Sequence, residues 1–491
     1  MNLENNRHPQ PAASGRKVAL GAAAFGAVNI FKAVVQLLLL PVMARLLGPA
    51  EFGLYALALP TIALVALLSD GGLGYTLARE DEASSLVWSS AFWVLLFLGL
   101  ILAAGVSLFG VLLGYLSSEP RLPPIIAILS VSLIFLTISV VPAARLIRRK
   151  NLGAGAGADL SGVISGALVA VVLAKNGAGA WSLALQYVTT YVVRAIVLNF
   201  AAFHRPKAEF SFAALSPHLM SGGILVTSRI VDYASRLAEN FVINRVFGSI
   251  VLGNYTFANQ ISRFSTEAIS NVVWGALYAQ ALTGDRTKIP ILHRRLCRML
   301  GIILFPSTFL AAAAAPELID ILLGPKWIDL SLYLRVLLPI FSLQVICTQS
   351  VAVIVAYGRF DVQFWSSSGY GLGRVIAVCL APWIGVSGTI FAIGFVTLVY
   401  CLVMLIVASW LAKCRALPFL RGLAAPALSA AIGTGSYLLL ITNDPANRVW
   451  IVISLVAGLA VYAACMLLID RKTLFYDWKS IRDLLAGRQV S

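Results

Sequence analysis

The chain has 491 residues, of which 59% are hydrophobic and only 12% are charged. Water-soluble globular domains carry about 25% charged residues, so this composition excludes a protein whose bulk is dissolved in water. The formal net charge of +16 does not indicate a nucleic-acid partner, because the basic residues cluster in the short segments that separate long apolar stretches.

Fourteen apolar stretches follow one another along the chain, and each is long enough, as a helix, to cross the ~30 Å hydrocarbon core of a bilayer. Helices are expected because the alternating pattern of a barrel strand is missing from the sequence. We therefore predict an all-α polytopic membrane protein with about 14 transmembrane helices. The predicted spans are 18–43, 52–77, 86–114, 123–146, 154–174, 179–203, 217–243, 250–280, 298–315, 331–357, 363–384, 388–411, 419–441 and 449–469.

The charges of the connecting segments predict the orientation of the spans. With the N-terminus inside, the segments that face the cytoplasm hold about four times as many Lys and Arg as the segments that face out, in agreement with the positive-inside rule. Both termini are therefore predicted to be cytoplasmic, and the basic residues to contact anionic membrane lipids. The six cysteines have neither disulfide-framework nor metal-site spacing, so we expect no metal and no cofactor.

An internal repeat emerges when the sequence is compared with itself at an offset of 200 residues. Residues 45–55 (RLLGPAEFGLY) align with 245–255 (RVFGSIVLGNY), so that one Arg, two Gly and one Tyr coincide. The copies are six spans apart, so two parallel bundles are expected, with substrate bound between them near the midplane. The predicted divisions are a cytoplasmic tail (1–17), an N-terminal six-helix bundle (18–203), a C-terminal six-helix bundle (204–411), two additional transmembrane helices (412–469) and a cytoplasmic tail (470–491).

Polar side chains share one face of each span that leads a repeat. In the first span Asn29, Lys32 and Gln36 recur at helical spacing. At the offset of 200 these positions become charged in the seventh span, and the eighth span extends the charged face. The charged residues of the two spans are Arg229, Asp232, Arg236, Glu239, Arg263 and Glu267.

Two interpretations of these membrane charges are open. The acids can pair with arginines one helical turn away, or the cations can line a central watery cavity that holds an anionic head group, since guanidinium groups match phosphate oxygens bidentately. We favour the cavity. The candidate substrate-binding residues are Lys32, Arg229, Arg236, Arg263 and Arg374, and the candidate charge network is Asp70, Asp232, Glu239 and Glu267. Asp70 fits a polar turn at the inner membrane edge equally well.

Residues 44–57 (ARLLGPAEFGLYAL), followed by 68–74 (LSDGGLG), resemble the opening signature of a known family. It is the bacterial polysaccharide transporter (oligosaccharide flippase) family of the multidrug/oligosaccharidyl-lipid/polysaccharide exporter superfamily. The segments 322–327 (LLGPKW) and 358–361 (GRFD) extend the likeness into the second half. A departure is the Gly71-Gly72 pair after Asp70, where the family has a larger apolar residue.

The resemblance implies two six-helix bundles with two further C-terminal helices. It implies that an undecaprenyl-pyrophosphate-linked oligosaccharide repeat unit crosses the bacterial inner (plasma) membrane by alternating access, for exopolysaccharide or O-antigen biosynthesis. The implied partners are this lipid-linked substrate, membrane lipids, and the polymerase and glycosyltransferases of the same pathway. The resemblance carries no binding residue over to this chain.

Two other functions fit parts of the sequence. A cation-coupled multidrug or small-molecule exporter of the same superfamily favours acidic and aromatic groups, whereas the span charges here are net basic. A membrane-embedded polysaccharide polymerase is less favoured, because the four His lie near loops or membrane edges and the sequence has no nucleophile–base constellation. We therefore do not expect an enzyme. The sugar and the ion or membrane-potential coupling leave no signature in the sequence.

Overall fold

The computed structural model is helical in the part of the chain that it describes. That part comprises residues 15–67, 69, 73, 77, 85–149, 151–202, 206–211, 227–262, 289–357, 359–412, 414, 417–442, 444 and 447–485. The chain divides into two compact units. Unit 1 comprises Met1–Leu47 and Ala58–Ile230, and unit 2 comprises Gly48–Leu57 and Val231–Ser491. The predicted domain boundary between residues 203 and 204 stays a prediction.

Helices make up most of the described residues of both units. Those that begin before residue 227 are α1 (Gly15–Leu46), α2 (Pro49–Ala66), α3 (Ser85–Ser117), α4 (Leu122–Ile138), α5 (Val140–Arg148), α6 (Leu152–Lys175) and α7 (Ala180–Ala202). The later ones are α8 (Thr227–Phe247), α9 (249–262), and α10 (Ile289–Ala313), α11 (Ala315–Leu322), α12 (Leu330–Ala356), α13 (Phe360–Cys379), α14 (Ala381–Leu411), α15 (Leu417–Ile441) and α16 (Arg448–Leu485).

Ten segments of the described residues are long and apolar enough to cross a bilayer, which confirms the prediction of an all-α, multi-span membrane protein. They are Pro49–Ala66, Ser85–Ser117, Leu122–Arg148, Gly153–Lys175, Ala180–Ala202, Ile289–Ala313, Leu330–Ile354, Trp383–Leu411, Leu417–Ile441 and Arg448–Asp470. Neither α8 nor α13 is among the ten. Five charged side chains are distributed along α8, whereas α13 carries two, Asp361 and Arg374, together with several polar residues. The predicted total of fourteen spans stays a prediction.

Small residues bring the helices of unit 1 into close contact. The buried positions of α3 include Gly99, Ala103, Val106 and Gly110, which recur every three or four residues and therefore share one face. A Cβ on Gly110 would lie 2.7 Å from the side chain of Ile126 on α4. Lipid offers no hydrophobic drive for helix association, so such close packing is what holds membrane helices together.

An ion pair joins helices of unit 2 that are distant in sequence. Arg298 on α10 donates from Nη2 to Asp470 Oδ2 over 2.7 Å, and Asp470 is the residue at which the backbone of α16 departs from helical geometry. A buried apolar cluster joins α10, α12, α14, α15 and α16, with Leu300, Ile346 and Tyr462 among its members. The core of unit 2 thus includes the two C-terminal helices.

The two copies of the sequence repeat meet within unit 2, where the starts of α2 and α9 cross. A Cβ on Gly53 would overlap the backbone carbonyl oxygen of Ser249, and a Cβ on Gly253 would overlap that of Pro49. The four residues are related pairwise by the offset of 200, so the contact is reciprocal. Each helix therefore makes the same contact with the other copy of the repeat. Only glycine permits an approach of two backbones this close.

Aromatic side chains surround this glycine crossing. Phe52, Phe257 and Trp327 are mutually in contact, with ring centroids 5.1, 5.3 and 4.5 Å apart, and Trp327 is completely buried. Asn240 on α8 donates from Nδ2 to the carbonyl oxygen of Ala56 over 2.8 Å. The crossing therefore lies in a packed core and is joined to α8, the helix that carries Arg236 and Glu239.

We expect Gly53→Ala and Gly253→Ala each to destabilise the protein by about 1–3 kcal/mol, because the added methyl group forces the crossing backbones apart. The matched control is Gly435→Ala on α15, where a Cβ meets nothing within 4 Å and alanine raises helix propensity. Thermal unfolding of the detergent-solubilised protein measures the difference. Equal midpoints for the Gly53 and Gly435 variants would contradict the close approach.

Candidate functional site

The predicted site residues differ in how far the structure describes them. The side chains of Lys32, Arg236, Glu239 and Arg374 are described, whereas Arg229 and Asp232 are placed on the backbone of α8 only. The remaining three, Asp70, Arg263 and Glu267, lie outside the described residues. Whether any of the nine contacts substrate stays a prediction.

Glu239, Tyr255 and Arg374 form a buried triad in unit 2. The carboxylate of Glu239 accepts the hydroxyl hydrogen of Tyr255 and pairs with Arg374, whose Nη2 lies 2.8 Å from Oε1 and from Oε2. The same nitrogen donates to the Tyr255 hydroxyl oxygen over 2.9 Å. The side chains of Arg374 and Glu239 are 14% and 2% exposed. The triad therefore joins α8, α9 and α13 through one neutral, desolvated set of hydrogen bonds.

Aromatic rings support the guanidinium of Arg374 from its own helix. Its Cζ lies 5.5 Å from the ring centroid of Tyr370, one turn earlier on α13. Tyr370 in turn stacks on Tyr400 of α14 at 4.4 Å, and its hydroxyl lies 3.2 Å from Thr397 Oγ1. A guanidinium over an aromatic face gains electrostatic stabilisation. Arg374 is thus held on one side by a carboxylate and on the other by a ring.

Arg236 lies on α8, three residues before Glu239, and differs from Arg374 in its surroundings. Its side chain is half-buried, and its Cζ lies 5.7 Å from the ring centroid of Tyr233. The interval from Arg236 to Glu239 places both on neighbouring positions of one helix face. The face that carries Glu239 therefore also carries a second cation.

Lys32, Asp159 and Arg194 form a second charged cluster, in unit 1. Asp159 on α6 accepts a hydrogen bond from Arg194 Nε on α7 over 2.6 Å. Lys32 Nζ on α1 lies 3.8 Å from the other oxygen of the same carboxylate. The three side chains are 27%, 34% and 26% exposed in this order. Lys32 is a predicted site residue, whereas Asp159 and Arg194 are not among the predicted ones.

An exposed ion pair marks the start of α13. Arg359 binds Asp361 bidentately, with Nε 3.0 Å from Oδ1 and Nη2 2.9 Å from Oδ2. The hydrogen bonds from Arg359 lower the pKa of Asp361 below its ordinary value, and the same bonds raise the pKa of Arg359. Asp361 lies in the first turn of α13, where a negative charge also favours the helix. This pair belongs to the segment 358–361 that resembles the transporter family.

Comparison with known proteins places this architecture in a family. A sequence model described as "Polysaccharide biosynthesis protein" matches residues 42–332. The lipopolysaccharide biosynthesis protein WzxC of Escherichia coli (strain K12) is 26% identical over 333 residues, 66% of each chain. The succinoglycan biosynthesis transport protein ExoT of Rhizobium meliloti (strain 1021) is 26% identical over 446 residues, 88% of this chain and 89% of ExoT.

A solved structure shares the fold. The lipid II flippase MurJ, in an inward closed conformation, superposes with a TM-score of 0.76. The superposition covers 92% of this chain and 99% of that protein, with 13% sequence identity. At this identity the likeness shows the fold alone, which is the fold that the resemblance of residues 44–57 implies.

We expect Arg374→Leu to destabilise the protein by about 3–5 kcal/mol, because the substitution leaves the carboxylate of Glu239 buried without its cation. The double variant Arg374→Leu/Glu239→Leu should recover most of this loss. Thermal unfolding of the two single variants and the double variant measures the coupling. The control is Arg359→Leu, which removes an exposed pair and should leave stability unchanged. Additive losses in the cycle would show that the buried pair is not coupled.

Proposed function

We propose that this chain, which belongs to the polysaccharide biosynthesis protein family, is a flippase for an undecaprenyl-pyrophosphate-linked oligosaccharide repeat unit. It moves the repeat unit from the cytoplasmic to the outer leaflet of the bacterial inner membrane, for exopolysaccharide or O-antigen biosynthesis. The observation that carries the proposal is the match of the family over 42–332 on a chain whose membrane helices hold clustered cations. The transport named in ExoT and the flipping named in MurJ support it.

The physical need for a protein here comes from the charges of the substrate. A diphosphate and its sugars would lose their hydration in hydrocarbon, which costs many kcal/mol for an ion. Basic side chains inside the membrane replace part of that hydration, whereas the polyprenyl tail stays in lipid. Since hydrogen bonds between guanidinium and phosphate are short and strong, arginines are the expected ligands.

We assign the role of phosphate ligands to Lys32, Arg229, Arg236, Arg263 and Arg374, and the role of the accompanying charge network to Asp70, Asp232, Glu239 and Glu267. The Glu239–Arg374 pair supports a network in which carboxylates order the arginines. Transport follows alternating access, in which the substrate-binding site opens first to the cytoplasm and then to the outside. Both termini are cytoplasmic, and the partners are the polymerase and glycosyltransferases of the same pathway.

Reconstituted flipping tests this function. The purified chain is placed in vesicles that carry a fluorescently labelled, undecaprenyl-pyrophosphate-linked oligosaccharide, and a membrane-impermeant quencher reports how much label has changed leaflet. We expect faster transfer than in protein-free vesicles, and no acceleration for the same glycan on neutral undecaprenol. Equal transfer with and without protein overturns the proposal. Efflux of a cationic dye without flipping would instead establish the drug exporter.

Charge reversal at Arg236 tests the role of the span cations. Because a carboxylate would repel the diphosphate, Arg236→Glu is expected to slow flipping at least about tenfold while the protein still elutes as a folded species. Arg448→Glu, at the exposed start of α16, is the matched reversal and should flip at the rate of the unaltered protein. Unchanged flipping by the Arg236 variant removes Arg236 from the proposed site.

A further inference from the structure

The charged cluster of unit 1 contains more cations than it can neutralise. One carboxylate, Asp159, faces both Arg194 and Lys32, so the cluster carries a net charge of +1 within the part of unit 1 that the structure describes. The triad of unit 2 instead matches one Arg374 with one Glu239. An unbalanced ionisable group within a membrane helix faces water or a ligand of opposite charge, because hydrocarbon does not stabilise it. The excess cation of this cluster therefore faces either water or a bound anion.

The geometry of Arg194 leaves its phosphate-binding edge available. Its bond to Asp159 uses Nε only, and among the described residues its two terminal nitrogens have no hydrogen-bond partner. A guanidinium binds phosphate through two parallel N–H groups, which these nitrogens supply. Lys32 is also held loosely, since its Nζ lies 3.8 Å from Asp159. Both cations therefore keep N–H donors that can make the first contact with an incoming oxyanion, before their contacts with the carboxylate are exchanged.

Close helix packing fixes the position of Arg194 relative to Asp159. A Cβ on Gly162, three residues after Asp159, would lie 2.5 Å from the carbonyl oxygen of Thr190 on α7. A Cβ on Gly166 would lie 2.7 Å from the carbonyl oxygen of Gln186. The two glycines hold α6 and α7 in register, so the ion pair is preorganised by the backbone.

The depth of the cluster fits the head group of an inner-leaflet lipid. Asp159 lies seven residues into α6, and Arg194 lies eight residues before the end of α7. At 1.5 Å per residue both are about 10–12 Å from helix ends that are predicted to face the cytoplasm. A diphosphate at the inner membrane surface reaches this depth while its polyprenyl tail remains in lipid.

We propose that Arg194 and Lys32 form the diphosphate-binding pair of unit 1, and that Asp159 is an internal competitor which occupies Arg194 until substrate arrives. The proposal rests on the flippase function and deepens it by adding Arg194 as a ligand and Asp159 as a regulating counter-ion. Arg374 already binds Glu239 and Tyr255 through Nη2, and its side chain is 14% exposed against 26% for Arg194, so Arg194 is the more accessible of the two. The exchange of Asp159 for phosphate oxygens needs no covalent step.

Binding of undecaprenyl pyrophosphate to the full-length protein in lipid nanodiscs tests this pair. Arg194→Ala should weaken binding about tenfold or more, the equivalent of one charge-assisted hydrogen bond. Arg194→Lys should lose less, because it keeps the charge but not the fork. Asp159→Asn should tighten binding about two- to fivefold, because it removes the competing charge. Lys175→Ala, at the exposed far end of α6, controls for unspecific attraction and should bind normally.

Thermal unfolding of the same variants distinguishes a diphosphate-binding role of Arg194 from a purely structural ion pair with Asp159. A structural pair predicts that Arg194→Ala and Asp159→Asn both lower the unfolding midpoint, that the double variant restores it, and that affinity is unaltered. That outcome overturns the proposal, as does weaker binding by Asp159→Asn. If the unaltered protein binds undecaprenyl pyrophosphate no better than undecaprenol, the flippase function fails as well. Normal flipping and binding by Arg194→Ala would refute the binding role of Arg194 and Lys32 but would leave the flippase function standing.

Discussion

A charge among membrane helices needs an opposite charge or water beside it, and this requirement organises the polar groups of both units. Unit 2 satisfies it with a neutral triad in which Arg374 and Glu239 are both nearly inaccessible. Unit 1 satisfies it only in part, since Lys32 and Arg194 share the carboxylate of Asp159 and remain about a quarter exposed. The same requirement thus gives a buried ion pair that joins helices in unit 2, and a partly exposed charged cluster in unit 1.

The contacts between charged side chains depend on close packing of the helices that carry them. Charged groups exchange hydrogen bonds only when their helices lie close, and glycines make that approach possible at Gly162, Gly166 and the Gly53–Gly253 crossing. Near the crossing, Asn240 ties α8 to the backbone of Ala56, so the helix that bears Glu239 is anchored one residue away. The stability of the polar groups therefore depends on small residues that carry no charge.

Much of the fold could be predicted because apolar length is a strong signal. Segments such as Ser85–Ser117 and Leu417–Ile441 contain a full membrane span with few charges, and no other structure accommodates them. The repeat could also be detected from the sequence, because Gly53 and Gly253 align at the offset of 200. In the structure the two glycines are in contact. What the alignment could not predict is that the two copies touch, because self-similarity carries no distance.

The charge partners were harder to predict, for different reasons in each unit. Glu239 and Arg374 lie 135 residues apart, and in-helix spacing rules say nothing about such a pair. Asp159 and Arg194 had a usable signal: they lie 17 residues before and 15 residues after the turn at 176–179. Two antiparallel neighbours joined by a short turn bring those positions to nearly equal depth. Opposite charges at matched depth in a hairpin were the missed clue.

The reciprocal glycine crossing has a consequence for how the two halves of the chain can diverge. A methyl group on either glycine would collide with a carbonyl oxygen of the opposite backbone, at Ser249 or at Pro49. A clash with a side chain can be relieved by trimming that side chain elsewhere, but a peptide group is the same for every amino acid. No compensatory substitution in one copy can therefore accommodate a larger residue in the other. Both halves of the duplication are thus restricted to glycine at this position.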